Sequence, residues 1–126
     1  MIDVGAAGKG YLVDIISAIL QHAGVARFVV DAGGDLRHRG EHGIRVGLEH
    51  PLDPRLVIGV ANLQNRALCA SAVNRRAWGN GLHHVLDART GAPVTEVVAT
   101  WVVVGDAALA DGRAERSPDF DGELYT

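Results

Sequence analysis

Apolar residues recur at helical spacing between Lys9 and Ala23, where Leu12, Val13, Ile15, Ile16, Ile19 and Leu20 define one amphipathic helix and Gly24 supplies its stop. The pattern then changes to strands. Arg27 to Ala32 is a β-branched run closed by Gly33-Gly34, which predicts a buried strand ending in a tight turn. Ile44, Val46 and Leu48 alternate with charged or small residues, as a half-exposed strand does, and Leu56 to Leu63 predicts its antiparallel neighbour beyond Pro51 and Pro54. Ala67 to Val73 fits a short strand or a turn. His83 to Leu86 predicts a short strand before the turn 87–93, and Glu96 to Val104 is the strongest strand signal in the chain. Ala107 to Arg116 has helical composition, and Ser117-Pro118 should end it.

A chain of 126 residues, 48% of them hydrophobic, is long enough for one domain with a core and short for two. The net charge of −3 comes from a tail beyond Ser117 that carries Asp119, Asp121 and Glu123, so the body is near neutral and offers no nucleic-acid footprint. This divides the chain into a body, 1–116, and an acidic, loose tail, 117–126. A single cysteine, Cys69, excludes an internal disulfide. No apolar run reaches membrane-spanning length, and no basic-then-apolar leader pattern opens the chain.

The candidate chemistry sits at element ends. Asp3-Val4-Gly5-Ala6-Ala7-Gly8-Lys9-Gly10-Tyr11 places small residues between an acid and a lysine ahead of the first helix, and reads as a loop that lets a phosphate or nucleotide touch the backbone. It is not a P-loop, since Asp3 and Gly10 stand where Gly and Ser or Thr are required, nor does it have dinucleotide-fingerprint spacing. A glycine turn capping the helix is the equal alternative on local grounds. Further polar clusters are Asp31-Ala32-Gly33-Gly34-Asp35, the run from His83 and His84 through Asp87 to Arg89, Thr90 and Gly91, and Asp111 with Glu115. His84 can take a proton near neutral pH. Asp87 and Thr90 fit turn-shaping roles. His22, His38, His42 and His50 show no ligand spacing and read as surface residues.

Five ordered segments, namely Asp3 to Asp14, Asp31 to Asp35, Cys69-Ala70-Ser71, His84 to Gly91 and Ala107 to Asp111, resemble the motifs of the ApbE-type FAD:protein FMN transferases, formerly called thiamine-biosynthesis lipoproteins. The resemblance reaches about Arg113 and implies the carboxy-terminal half of such a protein. It implies an α+β fold with an antiparallel sheet and helices packed on one side. The implied activity is magnesium-dependent transfer of FMN from FAD to a Ser or Thr hydroxyl of a target flavoprotein, releasing AMP.

By motif match, Asp3, Lys9, His84 and Val85 would contact FAD, with His84 near the acceptor hydroxyl. Ala6, through its carbonyl, and Asp111 would hold Mg2+. Glu115 stands where the family places a Thr, so it is either a replacement ligand or a mark of divergence. Gly8, Asp31 and Ala88 also depart from the family's Ala, Asn and Pro. Family members are often membrane-anchored, periplasmic or extracytoplasmic, and some are cytoplasmic, so the compartment stays open. A non-catalytic flavin-nucleotide or metal-binding module and a purely structural module are the competing readings. Self-association through the face left by the other half is a further expectation.

Overall fold

The computed structural model describes residues 5–73, 77–78, 82–83, 86–87, 89–95, 97–114 and 123–125. Its elements run α1 (Gly5–His22), β1 (Phe28–Asp31), β2 (Asp35–Arg39), β3 (Ile44–His50), β4 (Asp53–Leu63), β5 (Ala67–Ala72), β6 (Ala77–Trp78), β7 (Leu82–His83), β8 (Ala99–Val104), α2 (Ala107–Ala114) and β9 (Glu123–Tyr125). The main sheet has the order β1-β2-β5-β8-β9, with every pairing antiparallel. β3 and β4 form a separate antiparallel hairpin.

Period-two alternation in β5 and β8 gives this sheet two buried faces. Ala67, Cys69 and Val102 join Val13 of α1 and Ala107, Ala110 and Ala114 of α2 in one core. Leu68, Trp101 and Val103 point the other way, onto Leu48, Ala61 and Leu63 of the hairpin. The helices therefore lie on one side of the sheet, giving the α+β architecture.

α1 begins four residues earlier than the periodicity predicts, because Gly5 to Gly10 are helical rather than a loop. Tertiary contact overrides the low helix propensity of glycine here. A Cβ on Gly10 would lie 2.3 Å from the Ala107 carbonyl oxygen, so only glycine lets α1 and α2 touch backbone to backbone. The carboxy-terminal stop is as expected: Gly24 has φ +79, its N–H donates to the Gln21 carbonyl, and Val25 N–H donates to the Leu20 carbonyl. This is the left-handed cap that glycine adopts without a Cβ penalty.

The run Arg27 to Ala32 becomes β1 at the edge of the sheet, and only Val30 is buried in it, with Val29 47% exposed. Its edge position, not its composition, sets that exposure. β2 is a strand that the hydrophobic pattern does not announce, since Asp35-Leu36-Arg37-His38-Arg39 is mostly charged or polar. Its inward side chains are instead satisfied by partners, with Lys9 on Asp35 and Asp14 on Arg37. Within the acidic tail, Glu123 to Tyr125 pair with the free edge of β8. No helix among the described residues is long and apolar enough to cross a membrane.

Asp14 ties the two helices together. Its carboxylate accepts the backbone N–H groups of Ala107 (3.0 Å) and Ala108 (2.8 Å), two of the unpaired donors that open α2, and also pairs with Arg37. Asp14→Ala removes a cap supplied from another element and is expected to cost about 1–2 kcal/mol in urea denaturation. Arg37→Met, which leaves both N–H contacts in place, should cost less.

Candidate active site

The amino-terminal turns of α1 meet α2 and the start of β2 at one place. β2 is brought there by the turn before it. Gly33 and Gly34 have φ +73 and +106, and Asp31 Oδ1 accepts both of their N–H groups, at 2.8 and 3.3 Å. A single acceptor oxygen does this work, so the carboxylate at position 31 serves the turn as an amide would. Gly34 then accepts the N–H of Ala70, and Asp35 sits opposite Cys69 on β5.

Asp35 is fully buried, and its Oδ2 lies 2.5 Å from the ammonium of Lys9, whose side chain is 44% exposed. This engages one of the three Lys9 donors among the described residues. Asp35 Oδ1 is buried with no hydrogen-bond partner among the described residues. From α2, Asp111 brings a carboxylate that is 4% exposed and accepts the Gly10 N–H at 2.9 Å through Oδ2. The Cys69 thiol donates to the Ala107 carbonyl at 3.4 Å, and burial, reinforced by the charge of Asp35, pushes its pKa up and keeps it protonated.

The electrostatics are of two carboxylates sharing one cation. Burial raises the Asp111 carboxyl above its ordinary range, and the Asp35 charge adds to this while the Gly10 N–H and Lys9 oppose it. Burial disfavours the Lys9 charge, but the hydrogen bond and charge of Asp35, with Asp111 behind, outweigh it and raise Lys9 above its ordinary 10.5. A group raised in the folded state stabilises fully below its ordinary value and loses that contribution as pH rises through the raised one. Alkaline titration above pH 10.5 is therefore expected to destabilise the chain, and Lys9→Met should remove that part of the profile.

Of the residues singled out in the sequence, Lys9 and Asp111 are brought together although 102 positions separate them (111 − 9). Ala6 lies in the first turn of α1, on the same helix end. Asp3, His84, Val85 and Glu115 lie outside the described residues. Asp87 and Thr90 shape their turn: Asp87 accepts the Gly91 N–H at 2.7 Å through its carbonyl and the Arg89 N–H at 2.8 Å through its side chain, while Thr90 Oγ1 accepts the Ala92 N–H.

Asp35, Gly10 and Asp14 are contributors to which the pattern assigns no role in the site, although the first two lie in its polar clusters. Their signal is only their place in the first two glycine-bearing motifs. His38, read as a surface residue, is 5% exposed, because β2 carries it under the β1 edge.

No group of three or more His, Cys, Asp or Glu side chains among the described residues is placed to hold a metal. A hard divalent cation nevertheless fits the donors present. Asp111 has one oxygen without a hydrogen bond among the described residues, its charge is disfavoured by burial and by Asp35, and the orphaned Asp35 oxygen adds negative potential. Remaining ligands would come from backbone carbonyls, water or residues outside those described.

The ApbE family matches residues 1–117. This corrects the expectation that the resemblance concerns a carboxy-terminal half alone, since the match takes in essentially the whole chain, including the helical glycine segment and both helices. The FAD:protein FMN transferase of Klebsiella pneumoniae is 29% identical over 120 residues, covering 88% of this chain and 34% of that protein. That of Rhodobacter capsulatus is 33% identical over 119 residues, covering 90% of this chain and 23% of that protein. The chain thus spans about a third or less of the length of these curated relatives. Among solved structures, the ApbE protein of Thermotoga maritima superposes with a TM-score of 0.82 at 31% identity, over 90% of this chain and 39% of that one. The flavin transferase ApbE of Vibrio cholerae gives 0.76 at 28%, over 90% and 38%.

Proposed function

Because the chain belongs to the ApbE family, we propose that it serves the magnesium-dependent transfer of FMN from FAD to a Ser or Thr hydroxyl of a target flavoprotein. The observation that carries this reading is the convergence of Lys9, Asp35 and Asp111 at the junction of α1 and α2.

In this reaction the acceptor hydroxyl oxygen forms a bond to the FMN-side phosphorus of the FAD diphosphate, the bond to the bridging oxygen breaks, and AMP leaves with that oxygen. The hydroxyl proton passes to His84, an imidazole suited to that transfer. Lys9 places a point charge against the diphosphate, held there by Asp35. Asp3 and the backbone of Val85 complete the nucleotide contacts. Asp111, the Ala6 carbonyl and Glu115 would hold Mg2+, which when bound supplies charge neutralisation at the diphosphate.

The test is incubation of the chain with FAD, magnesium and a Thr-bearing acceptor peptide. An acid-stable flavin adduct that disappears with EDTA, and that Asp111→Asn lowers on the order of 100-fold, is the expected result. FAD retention with no adduct would establish the non-catalytic flavin-nucleotide or metal-binding reading instead. Weak retention that neither magnesium nor Lys9→Ala alters would leave a structural module.

α1 also presents Tyr11, Leu12, Ile15, Ile16 and Ile19 on its outer surface, with Tyr11 and Ile19 each 61% exposed. Such a stripe supports self-association. A monomer at every concentration in light scattering, with no binding of an apolar dye, would count against it.

A further inference from the structure

A second cluster of basic side chains lies apart from the junction of α1 and α2. Asp35 and His38 are three residues apart on β2, about 10 Å along the strand, and their side chains point to opposite faces. Around His38 is an open pocket of about 290 Å3 lined by Arg27, Phe28, Val29, His38, Arg39, Gly40, His42 and Ile44. Two of these are arginines, two are histidines, and none is a carboxylate. Arg27 and Arg39 are exposed and make no ion pair among the described residues.

His38 gives this pocket a donor. The residue is 5% exposed, and Nδ1 accepts the backbone N–H of Asn65 at 3.2 Å, which leaves the ring proton on Nε2. Nε2 has no partner among the described residues. It faces Gly40, where an added Cβ would stand 3.4 Å from it and 3.5 Å from Cγ of Arg27. The missing side chain at position 40 therefore keeps the donor uncovered.

We infer that this pocket is a separate binding site for a small oxyanion, a phosphate or a carboxylate, carried on an apolar group. The Arg27 guanidinium and the His38 imidazole N–H, brought together at Gly40, match either oxyanion. Val29 and Ile44 supply apolar wall for the body that bears it. The volume limits the ligand to a small one.

Phenyl phosphate and benzoate titrated onto the whole chain, followed by amide chemical shifts, test the inference. Shifts confined to residues 27–29 and 38–44, saturating below about 10 mM, are expected. Arg27→Gln, a surface change, should weaken binding about tenfold, whereas Arg39→Gln, on the opposite face of β2, should leave it unchanged. Gly40→Val should abolish it while leaving the rest of the spectrum unchanged. Tighter binding of phenyl phosphate assigns the site to phosphomonoesters, and tighter binding of benzoate assigns it to carboxylates. Shifts centred on Lys9 and Asp111, no shifts at all, or unchanged affinity in Arg27→Gln would overturn it.

Discussion

Lys9→Met is expected to destabilise the chain by about 2–3 kcal/mol at neutral pH, a fall of roughly 10 °C in Tm. The cost arises at the other partner. Asp35 is fully buried and one of its oxygens is already without a hydrogen bond among the described residues, so removal of the ammonium leaves an uncompensated charge in the core. A cost at or just below the low end of the range for a broken buried pair applies, because Lys9 itself is 44% exposed and its interaction is partly screened by water. The reverse change is asymmetric. Asp35→Leu frees a lysine that can return to solvent, and it should cost about 1 kcal/mol. The double variant should recover most of the loss, since no buried charge then remains. Guanidinium denaturation of the four proteins measures this cycle, and additive losses in the double variant would show that the pair is not coupled.

Gly10→Ala separates propensity from packing by the sign of its effect. In an exposed helix interior the change would stabilise by about 0.5–1 kcal/mol. At this position the new Cβ would stand 2.3 Å from the Ala107 carbonyl oxygen and 2.7 Å from the Asp111 Cβ, and the first of these is backbone that cannot turn aside. α1 and α2 would have to part, losing the 2.9 Å bond from Gly10 N–H to Asp111 along with the contact of the helices. A net loss of about 3 kcal/mol or more in urea denaturation is expected, with Gly10→Val worse. A stabilised Gly10→Ala variant would mean that the helices are not pressed together at this point.

The same contact explains what the sequence showed and what it withheld. The body of α1, the Gly24 stop, the β3–β4 hairpin, β8 and α2 were legible because each has a periodic apolar face or a marked end. The helical state of Gly5 to Gly10 was not, since its cause is Ala107, nearly a hundred residues away. β2 was hidden because its inward positions are charged and become tolerable only through Lys9 and Asp14. Of the site, Lys9 and Asp111 could be picked from motif order. The role of Asp35 could not, since an acid after a Gly-Gly turn reads as part of the turn until its lysine is placed beside it. His38 failed in the other direction, a lone histidine with no ligand spacing that the β1 edge happens to bury.

Several of these features meet in one electrostatic proposition, that a cation at Asp111 and a diphosphate at Lys9 bind as neighbours and assist each other. The most direct measurement is FAD affinity, read from flavin fluorescence, across a magnesium titration. Magnesium is expected to tighten FAD binding by about tenfold or more, FAD to tighten magnesium binding by the same factor, and Asp111→Asn to remove both effects. FAD binding that is indifferent to magnesium in the unaltered chain, or coupling that survives Asp111→Asn, would contradict it.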